Sequence, residues 1–443
     1  MSAAAHADGR IRALLIAEGC NPDWSSVPLV AWNHSQALAR VANTHLVTQI
    51  RNRPNILKAG LVEGRDFTAI DSDLVEKPIR WAIAQLGASV QSGKGWTTQT
   101  AASALTYQYF ERLLWRRFGD AIRARAFDVV HRLTPLSPTI PSMIAARCRR
   151  AGVPFVLGPL NGGLPWPKEF GRLRVKEREW LSYVRDVYKL IPGYHSTRRN
   201  ASAIIVGSQA TAGQLPAIYR HKAVYIPENA VDPCRFKLQA SYEITLPLKI
   251  AFVGRLTPYK GADMLIDAIA PLAREGKVEL SIVGDGPEML ALRAQAQREG
   301  ISGRVEFTGW LKHEDLQERL ANFHVFGFPS VREFGGAVVV ETMALGLVPV
   351  VVNYGGPSEL VNPTTGFAVP MGTREEIVTR FRRVFERLIA DPSIIRPMGR
   401  RARARVLRVF TWSSKSAQVA EVYRWVLKQR DKPDFGMPLR DPS

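Results

Sequence analysis

The chain has 443 residues, 46% of them hydrophobic, and carries 60 Lys and Arg against 40 Asp and Glu for a net charge of +20. That length exceeds what one core usually encloses and predicts two domains, while no apolar run reaches membrane-spanning length. Cys20, Cys148 and Cys234 are scattered without paired Cys or His spacing, which argues against a disulfide framework or structural zinc.

The Ala-rich start lacks the basic-then-apolar order of a signal peptide, so a cytoplasmic location is expected. Apolar runs bounded by turn residues predict strands at Ile11 to Ala17, His45 to Ile50, Phe127 to His131, Pro154 to Gly158, Ala203 to Gly207 and Ala223 to Pro227. Helical periodicity falls around Ser35 to Ala42, Ser103 to Phe118, Ile140 to Ala151 and Lys176 to Leu190. His131 ends a strand before a Pro-rich loop, where a ligand-facing histidine and a satisfied structural one are both open readings. The loops Glu18 to Trp24 and Gly158 to Pro167 also follow strands, and read either as turn chemistry or as one wall of a cleft.

Charge is unevenly shared. Residues 1–246 hold 32 Lys and Arg against 18 Asp and Glu, whereas the remainder holds 28 against 22, so the first half should be drawn toward something anionic. Lys168 to Arg199 interleaves cations with Phe170, Trp180, Tyr183 and Tyr188. Such a pattern suits a helix at an acidic membrane surface and equally a two-faced helix packed on its own domain.

Asp232 to Pro247 has weak periodicity and contains the linker, placed at 236–247 between a first domain at 1–235 and a second at 248–410. Beyond it, strands at Ile250 to Val253, Val278 to Val283, Val305 to Thr308, His324 to Phe328 and Val348 to Val352 alternate with helices such as Ala262 to Arg274 and Pro287 to Arg298. The alternation predicts an α/β fold with a parallel sheet of Rossmann type. Arg396 to Arg408 reads as a solvated Arg-rich helix, and Trp412 to Lys428 as an amphipathic one within a terminal segment 411–443.

The chemistry gathers at strand ends. Arg255 and Lys260 follow the strand at Ile250, at the carboxyl edge where open α/β sheets bind ligands, and together suit a diphosphate without a metal. Glu333 and Glu341 lie on either side of the pair Gly335-Gly336, which opens a short helix ending at Gly346. The unpaired amides of that helix start suit an anion, and the carboxylates suit hydroxyl donors. A sugar attached to a diphosphate has both halves.

Gly254-Arg255-Leu256 with Lys260-Gly261, Gly284-Asp285-Gly286-Pro287, Phe307-Thr308-Gly309, the spaced glutamates, and Gly355-Gly356 with Glu359 follow in order along the C-terminal half. In these motifs the chain resembles the retaining glycosyltransferases of the GT-B fold, family four, also called group one. The resemblance implies two Rossmann-like domains facing a central cleft, with a C-terminal helix crossing back to the first. It implies that Arg255 and Lys260 bind the donor diphosphate and help the nucleotide leave, that Glu333 holds hydroxyls of the donor sugar, and that Glu341 binds the ribose. Backbone groups of Phe334, Gly335, Gly336, Ala337 and Val338 would meet sugar and phosphate. Gly254 and Gly309 would lie against the donor, Trp310 and Leu311 beside its base, and His131 against the transferred sugar. The family usually reads Glu-Gly-Phe-Gly where this chain reads Glu333-Phe334-Gly335-Gly336, which moves the aromatic by one place.

The expectation is therefore a hexosyltransferase that uses a UDP- or GDP-sugar, with no metal and no other cofactor. Its acceptor is expected to be a lipid-linked saccharide of cell-surface or exopolysaccharide synthesis, met at an anionic membrane surface through the basic first domain. Alternatives are a soluble sugar or phosphate acceptor, a nucleic-acid-binding protein invited by the high pI, and a non-enzymatic regulator. No nucleic-acid-binding module is recognisable, and the retained Arg255, Lys260, Glu333 and Glu341 disfavour the last.

Overall fold

The computed structural model describes residues 9–78, 96–171, 173, 193–240 and 244–440. They form two compact units: Met1–Gly163, Val175–Glu228 and Trp412–Gly436 make the first, while Leu164–Arg174, Asn229–Thr411 and Met437–Ser443 make the second.

In the first unit, β1 (Arg12–Ala17), β2 (Asn43–Gln49), β3 (Phe67–Ile70), β4 (Val129–Thr134), β5 (Phe155–Leu160), β6 (Ala203–Val206) and β7 (Ala223–Tyr225) form one sheet in the order β3-β2-β1-β4-β5-β6-β7. All its pairings are parallel. Parallel pairing demands crossovers, and the sequence supplies them as α1 (Val27–Ala39), α2 (Arg53–Lys58), α3 (Trp96–Arg123), α4 (Ile144–Arg150), α5 (Tyr194–Asn200) and α6 (Gln209–Gln214). With helices on both faces, the strands lose polar alternation: every residue of β4, β5 and β6 is buried. The strand β3 was not anticipated, because Phe67–Ile70 is short and buries only its two ends.

In the second unit, β8 (Leu248–Val253), β9 (Val278–Val283), β10 (Val305–Gly309), β11 (Val325–Phe328), β12 (Val348–Val352) and β13 (Phe367–Val369) pair in parallel in the order β10-β9-β8-β11-β12-β13. The helices are α7 (Ala262–Arg274), α8 (Met289–Arg298), α9 (His313–Leu320), α10 (Ala337–Leu345), α11 (Gly356–Leu360), α12 (Arg374–Ala390) and α13 (Ile395–Val409). Strand order reverses between β8 and β11, the position at which doubly wound sheets leave a crevice. Both sheets are thus of Rossmann type, as the alternating pattern predicts.

Two helices show how local chemistry sets the layers. The start of α12 is a capping box: the Thr373 hydroxyl accepts from the Glu376 amide, and the Glu376 carboxylate accepts from the Thr373 amide. The Arg374 guanidinium then reaches Asp263 at 2.9 Å and Asp267 at 2.7 Å, fastening α12 to α7. Helix α13 departs from its reading as a solvated helix. Arg401 donates to the Thr364 carbonyl at 2.9 Å, Arg403 to that of Leu238 at 3.0 Å and the buried Arg405 to that of Leu439 at 2.9 Å. Guanidinium forks aimed at orphan carbonyls are structural here, a use that charge counting does not reveal.

The last helix, α14 (Trp412–Val426), belongs to the first unit. Its Val419, Val422 and Tyr423 are buried in a core with Leu15, Leu38, Val129, Val156 and Ile205. The chain therefore returns to its first sheet at the end. The three cysteines are free, Cys20 and Cys148 buried and Cys234 exposed.

Candidate functional site

The loops at the carboxyl ends of β8 and β11 are laced together. After β8, the Gly254 amide donates to the Val283 carbonyl at 3.0 Å and the Leu256 amide to that of Asp285 at 2.9 Å, so Arg255 is held between two strand ends. A short turn at Pro258–Lys260 leads to Gly261, whose φ of 75° caps α7. A Cβ at Gly261 would meet the Pro329 carbonyl, so only glycine allows this approach of the two loops. The Val331 amide then donates to the Tyr259 carbonyl at 3.0 Å.

This lacing brings Lys260 and Glu333 together. The ammonium is ion-paired with Glu333 Oε2 and lies 5.2 Å from the Phe328 ring centroid, with the two side chains 16% and 20% exposed. An anion arriving here would compete with Glu333 for Lys260. Arg255 is half-buried, and among the described residues its guanidinium is engaged by no other side chain.

On the far side of Glu333, Gly336 takes φ 69° and opens α10. The left-handed position is thus the second glycine of the pair; the shift of the aromatic to Phe334 leaves it intact. The Val339 amide folds back to the Gly336 carbonyl at 3.0 Å. The amides of Ala337 and Val338 make no backbone bond among the described residues, as expected of a helix start. Glu341 follows one turn later, half-buried, and its burial pushes the carboxyl up to about 7. No hydrogen bond or ion pair engages it among the described residues, so its cost of ionisation is desolvation without compensation.

The neighbouring strand ends complete the edge. The Gly284 amide donates to the Gly309 carbonyl at 2.9 Å, and Gly309 has φ 71°. Trp310, next in the chain, is 71% exposed, and Leu311 is half-buried. The Gly356 amide donates to the Glu333 carbonyl at 3.1 Å, tying the loop after β12 to the same place.

His131 lies in the first unit. It is fully buried, with Nε2 at 2.6 Å from the Gly158 carbonyl and Nδ1 at 2.7 Å from the Tyr423 hydroxyl. A neutral ring donating to the first and accepting from the second satisfies both nitrogens, and burial lowers its pKa to about 4. Placed so, it has no nitrogen left for a sugar hydroxyl. Of the two open readings, the geometry is that of the structural one.

One contributor was not singled out from sequence. Trp166 packs against Tyr259 and Arg332, the immediate neighbours of Lys260 and Glu333. Its loop was visible as a Gly- and Pro-rich turn after a strand, but nothing in the pattern tells which unit it joins. The segment Lys168 to Arg199 falls largely outside the described residues. Among the described residues, no group of three or more His, Cys, Asp or Glu is arranged to hold a metal.

Comparison with known proteins now bears on this edge. Residues 237–403, spanning the loops just described, match the family described as glycosyl transferases group 1. Among curated relatives, the chain is 27% identical over 242 residues to the alpha-D-kanosaminyltransferase of Streptomyces kanamyceticus, covering 52% of this chain and 62% of that one. It is 26% identical over 357 residues to the GDP-mannose-dependent monoacylated alpha-(1-6)-phosphatidylinositol monomannoside mannosyltransferase of Corynebacterium glutamicum, covering 74% and 88%. This chain spans from 35% to 62% of the length of the first few curated relatives it matches. Its fold is that of HepE from Anabaena, solved in complex with UDP: TM-score 0.60 at 18% identity, over 93% of this chain and 99% of that one. The fold is therefore GT-B.

Proposed function

We propose that this chain moves a hexosyl unit from a UDP- or GDP-sugar to an acceptor hydroxyl, with retention of configuration. The observation that carries the reading is the Lys260–Glu333 pair at the strand-order reversal of the second sheet, flanked by Arg255 and the α10 start. An ammonium, a guanidinium and free amides suit a diphosphate, and two carboxylates suit hydroxyl groups.

In this reading Arg255 and Lys260 hold the diphosphate and stabilise charge as the glycosidic C–O bond breaks. Glu333 turns to hydroxyls of the hexose, and Glu341 accepts from the ribose. Gly254 and Gly309 lie against the nucleotide, with Trp310 and Leu311 at its base and backbone groups of Phe334 to Val338 near sugar and phosphate. The acceptor oxygen attacks from the face the leaving group departs, and its proton passes to the leaving phosphate oxygen. No side-chain nucleophile and no metal enter the scheme, and His131 is assigned no part in it.

For the acceptor, we favour a lipid-linked saccharide. The charge excess of residues 1–246 fits an anionic lipid surface, and the corynebacterial relative's name includes a phosphatidylinositol acceptor. No helix among the described residues is long and apolar enough to cross a membrane, so such a location would be peripheral, at the cytoplasmic face.

The test is turnover of a panel of UDP- and GDP-hexoses by the native chain, with Lys260→Ala and Glu333→Ala beside it. Each variant should lose roughly two orders of magnitude in kcat, the size seen when a transition-state electrostatic contact is removed. Near-native rates in either would refute the role given to that residue.

A further inference from the structure

Residues Leu164–Arg174 lie in the N-terminal half by sequence, yet they cluster with the second unit. Leu164, Trp166 and Phe170 are buried there. The segment is a strap fixed at several points. The Tyr354 hydroxyl donates to the Pro165 carbonyl at 2.7 Å. Leu164 lies so near Gly355 that a Cβ there would come within 2.8 Å of its Cδ2.

Trp166 is the centre of the strap. Its indole stands edge-on to Tyr259 at 6.4 Å, and the Arg332 guanidinium lies 4.8 Å from its ring centroid. The same guanidinium is 5.4 Å from the Phe334 ring, so it is shared between two aromatic rings. Tyr259 immediately precedes Lys260, and Arg332 and Phe334 flank Glu333. One buried indole thereby braces the chain on both sides of the Lys260–Glu333 pair. The loop carrying Tyr354 adds a third restraint, since the Gly356 amide holds the Glu333 carbonyl.

We propose that Trp166 is a positioning residue for Glu333: through Arg332 and Tyr259, the strap sets where that carboxylate stands once it meets the hexose. The inference rests on the transferase reading above and adds to it the element that sets sugar geometry. Most of the nucleotide half of the donor is assigned elsewhere, to Arg255, Glu341 and the loops around Gly254, Gly284 and Gly309, and only Lys260 adjoins the strap. Disturbing the strap should then separate the sugar from the nucleotide.

The experiment compares Trp166→Ala, Trp166→Phe and Tyr354→Phe with the native chain in two measurements. One is turnover of the UDP- or GDP-hexose that the native chain uses; the other is calorimetric affinity for UDP and GDP alone. Trp166→Ala should lower kcat by roughly 10²-fold, the scale of a misplacement near 1 Å, while nucleoside diphosphate affinity, held also by Arg255 and Glu341, falls by less than about tenfold. Trp166→Phe should restore most of the rate, because a ring still receives Arg332. Tyr354→Phe, which removes only a hydroxyl, should lower kcat by about fivefold, the scale of one hydrogen bond. Unchanged turnover in both Trp166→Ala and Tyr354→Phe would overturn the inference alone. Parallel loss of rate and nucleotide affinity in Trp166→Ala, without rescue by Trp166→Phe, would also overturn it, since that is what general unfolding gives. A native chain that neither binds UDP or GDP nor turns over any nucleotide sugar would overturn the transferase reading itself, and this inference with it.

Discussion

Single side chains at the strand ends of the second unit differ in how their charge is held. Lys260 and Glu333 neutralise each other, whereas Glu341 is desolvated without a partner among the described residues, and its carboxyl rises from 4.5 to about 7. For stability the sign follows from the raised value: the folded state keeps the proton where the unfolded chain has lost it. The penalty for ionising Glu341 is thus absent below about pH 4.5 and fully present above about 7. For ligand binding the sign is opposite. In the proposed reading ribose hydroxyls donate to the ionised form, so donor binding should pull the proton off. Affinity for the nucleoside diphosphate should weaken by up to about tenfold per pH unit below 7, and Glu341→Gln should flatten that slope. Calorimetric titration with UDP and GDP between pH 5.5 and 8, corrected for ligand phosphate ionisation, reads it directly. The same steepness in the Gln variant would remove Glu341 from the nucleotide contact.

At the scale of elements, the glycines at strand ends do what no other residue permits. Gly284 has φ 137°, and a Cβ there would collide with the Gly254 carbonyl, the point at which the ends of β8, β9 and β10 converge. Gly284→Ala should therefore cost about 3 kcal/mol and lower the melting temperature of this unit by roughly 5–10 °C. A melting curve unchanged within a degree would show that the junction relaxes freely. These junctions were legible in the sequence because Gly-Arg-Leu and Gly-Asp-Gly-Pro each follow a mainly apolar run, and strand and turn chemistry are local. The places of Lys260 and Glu333, in the loops that follow β8 and β11, were readable for the same reason. What stayed illegible is long-range. Nothing around His131 says that its two nitrogens are taken by Gly158, 27 positions on, and Tyr423, 292 positions on. Nothing around Trp166 says that its loop joins the second unit. The short β3 and β13 were missed for a related reason: with few buried residues each, they exist because a neighbouring strand offers a ladder.

At the scale of the whole chain, the first unit is not continuous in sequence, and its completion waits for the last helix. In α14, Val419, Val422 and Tyr423 are wholly buried against strands from the first half of the sequence, and the Lys415 ammonium donates to the Pro227 carbonyl. Burying each large apolar side chain contributes about 1.5–3 kcal/mol, so these three alone approach the 5–15 kcal/mol that a domain typically has to spare. The second unit draws none of its sheet from α14, since β8 to β13 and α7 to α13 close before Thr411. A chain ending at Thr411 should then lose the cooperative melting of the first unit, while the second keeps its transition at a lower temperature, short of Met437–Ser443 and the Leu439 acceptor of Arg405. Calorimetry would report one transition in place of those of the full chain, and limited proteolysis would leave a resistant fragment near Asn229–Thr411. Two intact transitions in the shortened chain would mean that α14 only covers a core already closed without it.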